Sequence, residues 1–194
     1  MLTSLPNLTI LLADEKYIFS NESKRYLEGK VARGPAIRSD AAREDASANT
    51  TSVMISEGEW DCRAAQDSAL RKSLGLETYR YFWAGNFTNI SPVDWLGAFH
   101  WSDLLMIFGT YREDVGEVPE LEVKTSETMQ DHILAFLKNP STVNVTVGWP
   151  AFDADSPGGG QILEFGKGTP VRKVTGDWLD GGCYNSSIPF RIWT

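Results

Sequence analysis

The sequence holds few residues suited to chemistry: two histidines, His100 and His132, and two cysteines, Cys62 and Cys183. His100 lies in the run Gly97-Ala98-Phe99-His100-Trp101-Ser102-Asp103-Leu104, between a strand-like segment and a helix-like one. A loop histidine so placed can serve as a general base, because the loop lets the imidazole reach across strand tips and its pKa lies near neutrality. The competing reading is a hydrogen-bonded packing residue among Phe99, Trp101 and Leu104. Ser102, in the same turn, lacks an elbow and oxyanion donors of its own and is not expected to be a nucleophile. Asp103 is expected to cap the following helix, with a bond near the loop as the alternative. His132 falls between Met129 and Ile133 on a predicted helix, reads as belonging to a helix boundary, and is given no role.

No third Cys or His stands at metal-ligand spacing from either cysteine, which argues against a zinc site, and no cofactor is expected. In an oxidising compartment the pair reads as one disulfide closing a long loop, with two unrelated buried thiols as the alternative. Such a compartment is suggested by sequons. Seven of the eight asparagines, Asn7, Asn21, Asn49, Asn86, Asn89, Asn144 and Asn185, head an Asn-x-Ser/Thr triplet. Chance would give about one, so these are expected glycosylation sites. The opening Met1-Leu2-Thr3-Ser4-Leu5-Pro6 lacks the basic region and cleavage site of a secretory signal, so the true N-terminus of a secreted protein is expected to lie elsewhere.

The elements that would carry these residues follow from periodicity. Asp61 with Ala64, Ala65, Ala69, Leu70 and Leu74, then Gly75, predicts a helix with start and stop signals. The aromatic run Glu77 to Trp83 predicts a strand, and helix followed by strand indicates an α/β layer. Leu104 to Gly109 is expected to pack as a short buried helix. A helix capped by Thr125 or Ser126 should turn Met129, Ile133, Phe136 and Leu137 inward and stop at Asn139-Pro140. Gly158-Gly159-Gly160 is expected to be a flexible turn before the strand Gln161 to Phe165, in the wrong place to cradle phosphate. The tract from Asp40 to Gly58 is small, polar and without a clear pattern.

With 194 residues, 42% apolar and 11% aromatic, the chain can bury the core of one globular domain. Its net charge of −8 opposes nucleic-acid binding, and Leu8 to Ala13 is far too short for a membrane span.

The segment from Tyr79-Arg80-Tyr81 through Gly97 to Leu104 and Ile107-Phe108-Gly109 resembles the catalytic-histidine block of the type-B carboxylesterases. These are the cholinesterase-like lipases and esterases, and the fungal ones look closest. The resemblance runs back to Asp61-Cys62 and forward through Met129, Phe136, Asn139-Pro140 and Gly148-Trp149-Pro150. It implies that His100 is the general base of a triad and that Cys62 pairs with Cys183. More loosely, Asp14 to Phe19, Gly29 to Ile37 and Ala42-Arg43-Glu44 are similar to the family's acid-bearing segment. By that likeness Glu44 is the triad acid, accepting the Nδ1 proton of His100, with Asp45 and a plain surface carboxylate as its competitors. None of the 17 glycines begins a Gly-x-Ser-x-Gly elbow, and Ser186 and Ser187 belong to a sequon.

The resulting expectation is an α/β chain, the C-terminal part of an α/β-hydrolase fold without its N-terminal strands and nucleophile elbow. Residues 1–45 form the acid-bearing segment and 60–194 the histidine-bearing one. The parent is expected to be a secreted serine hydrolase acting on small-molecule or lipid esters, and this chain an inactive, poorly soluble fragment of it. A non-catalytic glycoprotein module for binding or adhesion is the alternative.

Overall fold

The computed structural model describes the backbone of residues 36–41, together with residues 60–91, 97–99, 101–111 and 117–184. Four strands form one sheet in sequence order: β1 (Ala36–Ala41), β2 (Thr78–Trp83), β3 (Gln161–Phe165) and β4 (Val171–Thr175). β1 and β3 flank β2 in parallel, and β4 closes on β3 antiparallel. Helices cover both faces, α1 (Cys62–Ser73), α2 (Ser102–Phe108), α3 (Glu120–Lys138), α4 (Val143–Val147) and α5 (Gly176–Tyr184). This is an α/β arrangement, as expected.

β2 explains the layering. All six of its residues are buried, as in a parallel strand covered on both faces, and its side chains alternate between the two helical layers. Tyr79, Tyr81 and Trp83 point one way, where Tyr79 packs edge-on against Phe136 of α3 and Trp149, and Tyr81 against Trp149 and Phe165. Thr78, Arg80 and Phe82 point the other way. Thr78 accepts from Arg71 Nε of α1 at 2.9 Å, Arg80 pairs with Asp180 of α5, and Phe82 packs on Trp178.

Several expected faces are corrected. In α1, Ala69 is exposed while Ser68 and Arg71 are buried, because Ser68 satisfies itself on the Ala64 carbonyl and Arg71 on Thr78 and the Glu77 carbonyl. Asp61 makes no side-chain cap bond there. α2 is not apolar-buried on most sides: only Ser102 and Met106 are buried, and Leu104 and Phe108 are exposed. α3 begins nearly two turns before its expected caps, after Pro119. Thr125 and Ser126 lie inside it, their hydroxyls donating to the carbonyls of Leu121 and Met106, both at 2.7 Å, and Leu137 faces solvent. The triple-glycine turn is packed rather than loose. A Cβ on Gly160 would lie 2.6 Å from the Asp153 carbonyl oxygen, and Gly176 donates to Gly160 O at 2.9 Å. β4 and α5 were not anticipated.

Cys62 and Cys183 form a disulfide, Cα–Cα 5.4 Å, tying the start of α1 to the end of α5. Among the described residues no helix is long and apolar enough to cross a membrane.

Candidate functional site

Because β1 and β2 run parallel in the register Ala36↔Thr78 to Ala41↔Trp83, their C-terminal ends lie side by side. Loops leaving that edge are where α/β sheets collect functional groups. Glu44 follows β1 by three positions, and His100 lies in the segment joining β2 to α2. Both fall outside the described residues, as do Asp45, Asn7, Asn21, Asn49, Asn185, Ser186 and Ser187.

The residues on either side of position 100 are described. Ser102 N donates to Phe99 O at 3.0 Å, closing a four-residue turn, and Ser102 Oγ donates to the same carbonyl at 2.6 Å. The same Oγ accepts from Trp83 Nε1 at 2.7 Å, joining the turn to the end of β2. Trp101, third in the turn, has φ 83° and ψ −14°, the values a type II turn demands there and normally fills with glycine. Among the described residues it is the one non-glycine with positive φ. Ser102 is fully buried with its hydroxyl engaged as both donor and acceptor, which fits a structural role and not a nucleophile.

Asp103 is not the N-cap residue of α2, but its Oδ1 accepts from the first-turn Leu104 amide at 3.0 Å. Trp101 holds the cap position without a side-chain cap bond, and Asp103 Oδ2 accepts from Tyr81 OH at 2.8 Å. One oxygen thus serves the helix start and the other a bond to β2, so each of its two sequence readings is met in part. Trp83, which reaches Ser102, is itself fixed by a close approach. A Cβ on Gly85 would lie 2.2 Å from the Trp83 ring, and one on Gly166 would lie 2.7 Å from Gly85 Cα.

His132 is not at a helix boundary. It lies inside α3, 6% exposed, with Nδ1 bonded to the Thr128 carbonyl at 2.7 Å and its ring edge-on to Phe165 and tilted against Trp149. Burial pushes its pKa down, opposed by the backbone carbonyls of Thr128 and Val147. On the opposite layer Arg80 and Asp180 make a two-pronged ion pair at 2.5 and 3.0 Å, with Phe152 under the guanidinium at 4.7 Å. Burial pushes the Asp180 carboxyl up, and Arg80 pulls against it. Of the described sequon asparagines, Asn86 and Asn144 are exposed, whereas the side-chain N and O of Asn89 are buried. No cluster of metal-binding side chains occurs among the described residues.

The turn and its tether to Trp83 escaped sequence reasoning, since a left-handed Trp carries no sequence signal and the partner of Ser102 lies 19 positions earlier.

No family model matches the chain. Secreted lipase 5 of Gibberella zeae is 39% identical over 113 residues, covering 58% of this chain and 21% of the lipase. Chlorogenic acid esterase of Aspergillus niger is 34% identical over 187 residues, covering 84% of this chain and 36% of the esterase. The chain thus spans roughly a third or less of these relatives. A solved PNB esterase structure superposes with a TM-score of 0.53 over 70% of this chain and 27% of that one at 16% identity, a likeness of fold. The sequence relatives are named as an esterase and a lipase, and the structural relative is an esterase.

Proposed function

We propose that this chain is the C-terminal portion of a secreted type-B carboxylesterase of α/β-hydrolase fold, with His100 as general base and Glu44 as the acid that orients it. The observation that carries the proposal is the in-register ending of parallel β1 and β2, from which the segments bearing Glu44 and His100 both depart. The fungal lipase and esterase relatives supply the reaction class, hydrolysis of carboxylic esters. The serine nucleophile would come from polypeptide outside these residues, since no Gly-x-Ser-x-Gly occurs within them.

In that reaction the serine Oγ bonds to the ester carbonyl carbon while its proton passes to His100 Nε2. Glu44 accepts the Nδ1–H bond and stabilises the imidazolium. Collapse of the tetrahedral adduct breaks the ester C–O bond, and the alcohol leaves with the proton from His100. Water then attacks the acyl-enzyme by the same route and releases the acid.

The test compares fluorophosphonate labelling and p-nitrophenyl ester hydrolysis by these 194 residues with those of a longer product carrying an elbow. Labelling and turnover are expected only in the longer product, where His100→Gln abolishes turnover. Covalent labelling of the 194 residues would overturn the proposal of a fragment lacking its nucleophile. Full activity of the His100→Gln variant would remove His100 from the mechanism.

A further inference from the structure

The turn around position 100 is held against its own preference. Trp101 sits at φ 83°, a region that side chains with a Cβ rarely adopt, so an isolated chain would leave this conformation. What opposes that release is Ser102. Its amide and hydroxyl both grip the Phe99 carbonyl across the turn, and its oxygen is fastened to the indole N–H of Trp83 at the end of β2. The indole has little freedom, because its ring lies over Gly85, where no Cβ would fit. Rigidity therefore passes from the sheet through Trp83 and Ser102 to the Phe99 carbonyl and the segment that carries His100.

We infer that Ser102 and Trp83 are positioning residues: their hydrogen bond maintains the left-handed turn at Trp101 and so holds Phe99 and Ser102, the described residues that flank the proposed general base. The inference rests on the reading of His100 as general base. Neither residue touches the reacting atoms. Loss of the bond lets the turn relax toward negative φ at Trp101 and so disturbs the backbone that carries the proposed base. A general base displaced by about an ångström loses on the order of a hundredfold in rate, while substrate binding elsewhere is left alone.

The experiment uses the esterase that contains this chain, with kcat and KM measured separately for a p-nitrophenyl ester and folding followed by thermal melting. Ser102→Ala is expected to lower kcat by about 10- to 100-fold with KM little changed. Trp101→Gly alone should leave kcat near wild type, because glycine adopts the turn without restraint. The double variant Ser102→Ala/Trp101→Gly should regain most of the lost kcat, a rescue that a merely stabilising hydroxyl would not produce. Trp83→Phe, which removes the indole N–H and keeps an aromatic ring, should repeat the kcat loss and serves if Ser102→Ala does not fold. Wild-type kcat in folded Ser102→Ala or Trp83→Phe, or no rescue in the double variant, overturns the inference. His100→Gln separates the two readings. If it abolishes turnover while Ser102→Ala does not lower it, positioning by Ser102 fails and the general base stands. If His100→Gln is fully active, the base reading itself fails.

Discussion

Replacing Arg80 with Met tests whether α5 is held to the sheet by charge. The Arg80 side chain is 0% exposed and that of Asp180 7%, and the two share hydrogen bonds of 2.5 and 3.0 Å. Removing the cation leaves a carboxylate inside a region that cannot solvate it, at a cost of about 3–5 kcal/mol. For a chain of this size that corresponds to a drop in Tm of about 6–20 °C. Removing both charges behaves differently. In Arg80→Met/Asp180→Leu no buried ion remains, so stability should return to within about 1–2 kcal/mol of wild type or exceed it. Acid should also narrow the gap between Arg80→Met and wild type. Burial already raises the Asp180 pKa above its ordinary 3.8, and without Arg80 that pull upward is unopposed. A carboxyl with a raised folded pKa favours the folded state when protonated, so the variant regains stability as pH falls through that raised value. Urea unfolding of both variants at neutral and acid pH measures this. A single-variant cost below about 1 kcal/mol, the range of an exposed pair, would refute the reasoning, as would a double variant no better than the single.

Three other outcomes are expected. Burial lowers the pKa of His132 below its ordinary 6.5, so on acidification the unfolded chain takes up this proton first and stability falls as pH drops from 6.5 toward the lowered value. His132→Gln should remove that part of the slope, and an unchanged pH profile would count against it. Reducing the Cys62–Cys183 bond reopens a separation of 121 residues, worth about 5 kcal/mol in the chain-entropy model, and should lower Tm by about 10–20 °C in a melt with reductant. Glycopeptide mapping of secreted protein should find glycans at the exposed Asn86 and Asn144 and none at Asn89, whose amide N and O are buried; an occupied Asn89 would contradict the packing of that turn.

What was legible in the sequence was what local pattern determines. The aromatic run to Trp83 gave β2, Asn139-Pro140 ended α3 where expected, and Gly75 followed α1. What was not legible depends on residues far apart in the chain. No local pattern marks Arg71 and Arg80 as buried, since their acceptors at Thr78, Glu77 and Asp180 meet them only when strand and helices pack. β4 hid behind exposed Arg172 and Lys173, charges typical of an unpaired sheet edge. α5 contains Gly176, Gly181 and Gly182, poor helix formers, and is held by the buried ion pair and the disulfide instead of by propensity. The turn at Trp101 follows the same logic: its conformation is imposed by Ser102 and Trp83 and contradicts the local preference of a bulky residue.

The layer of β2 that faces α2 to α4 shows how such imposition can be precise. Successive outward residues of one strand stand about 6–7 Å apart, and each sends a polar group to a different point: Tyr79 OH to the Pro140 carbonyl, Tyr81 OH to Asp103, and Trp83 Nε1 to Ser102. The last two converge on the first turn of α2, so the strand fixes that helix start at two positions and not one. A single tether would leave a rotation about itself; two, set one strand repeat apart, remove it. Each is an aromatic side chain with few rotatable bonds, and each is buried among other rings, so little conformational freedom remains to blur the placement. The aromatic character of β2, read from sequence only as a tendency to form a strand, is thus also what lets the sheet dictate the geometry of the segment that follows His100.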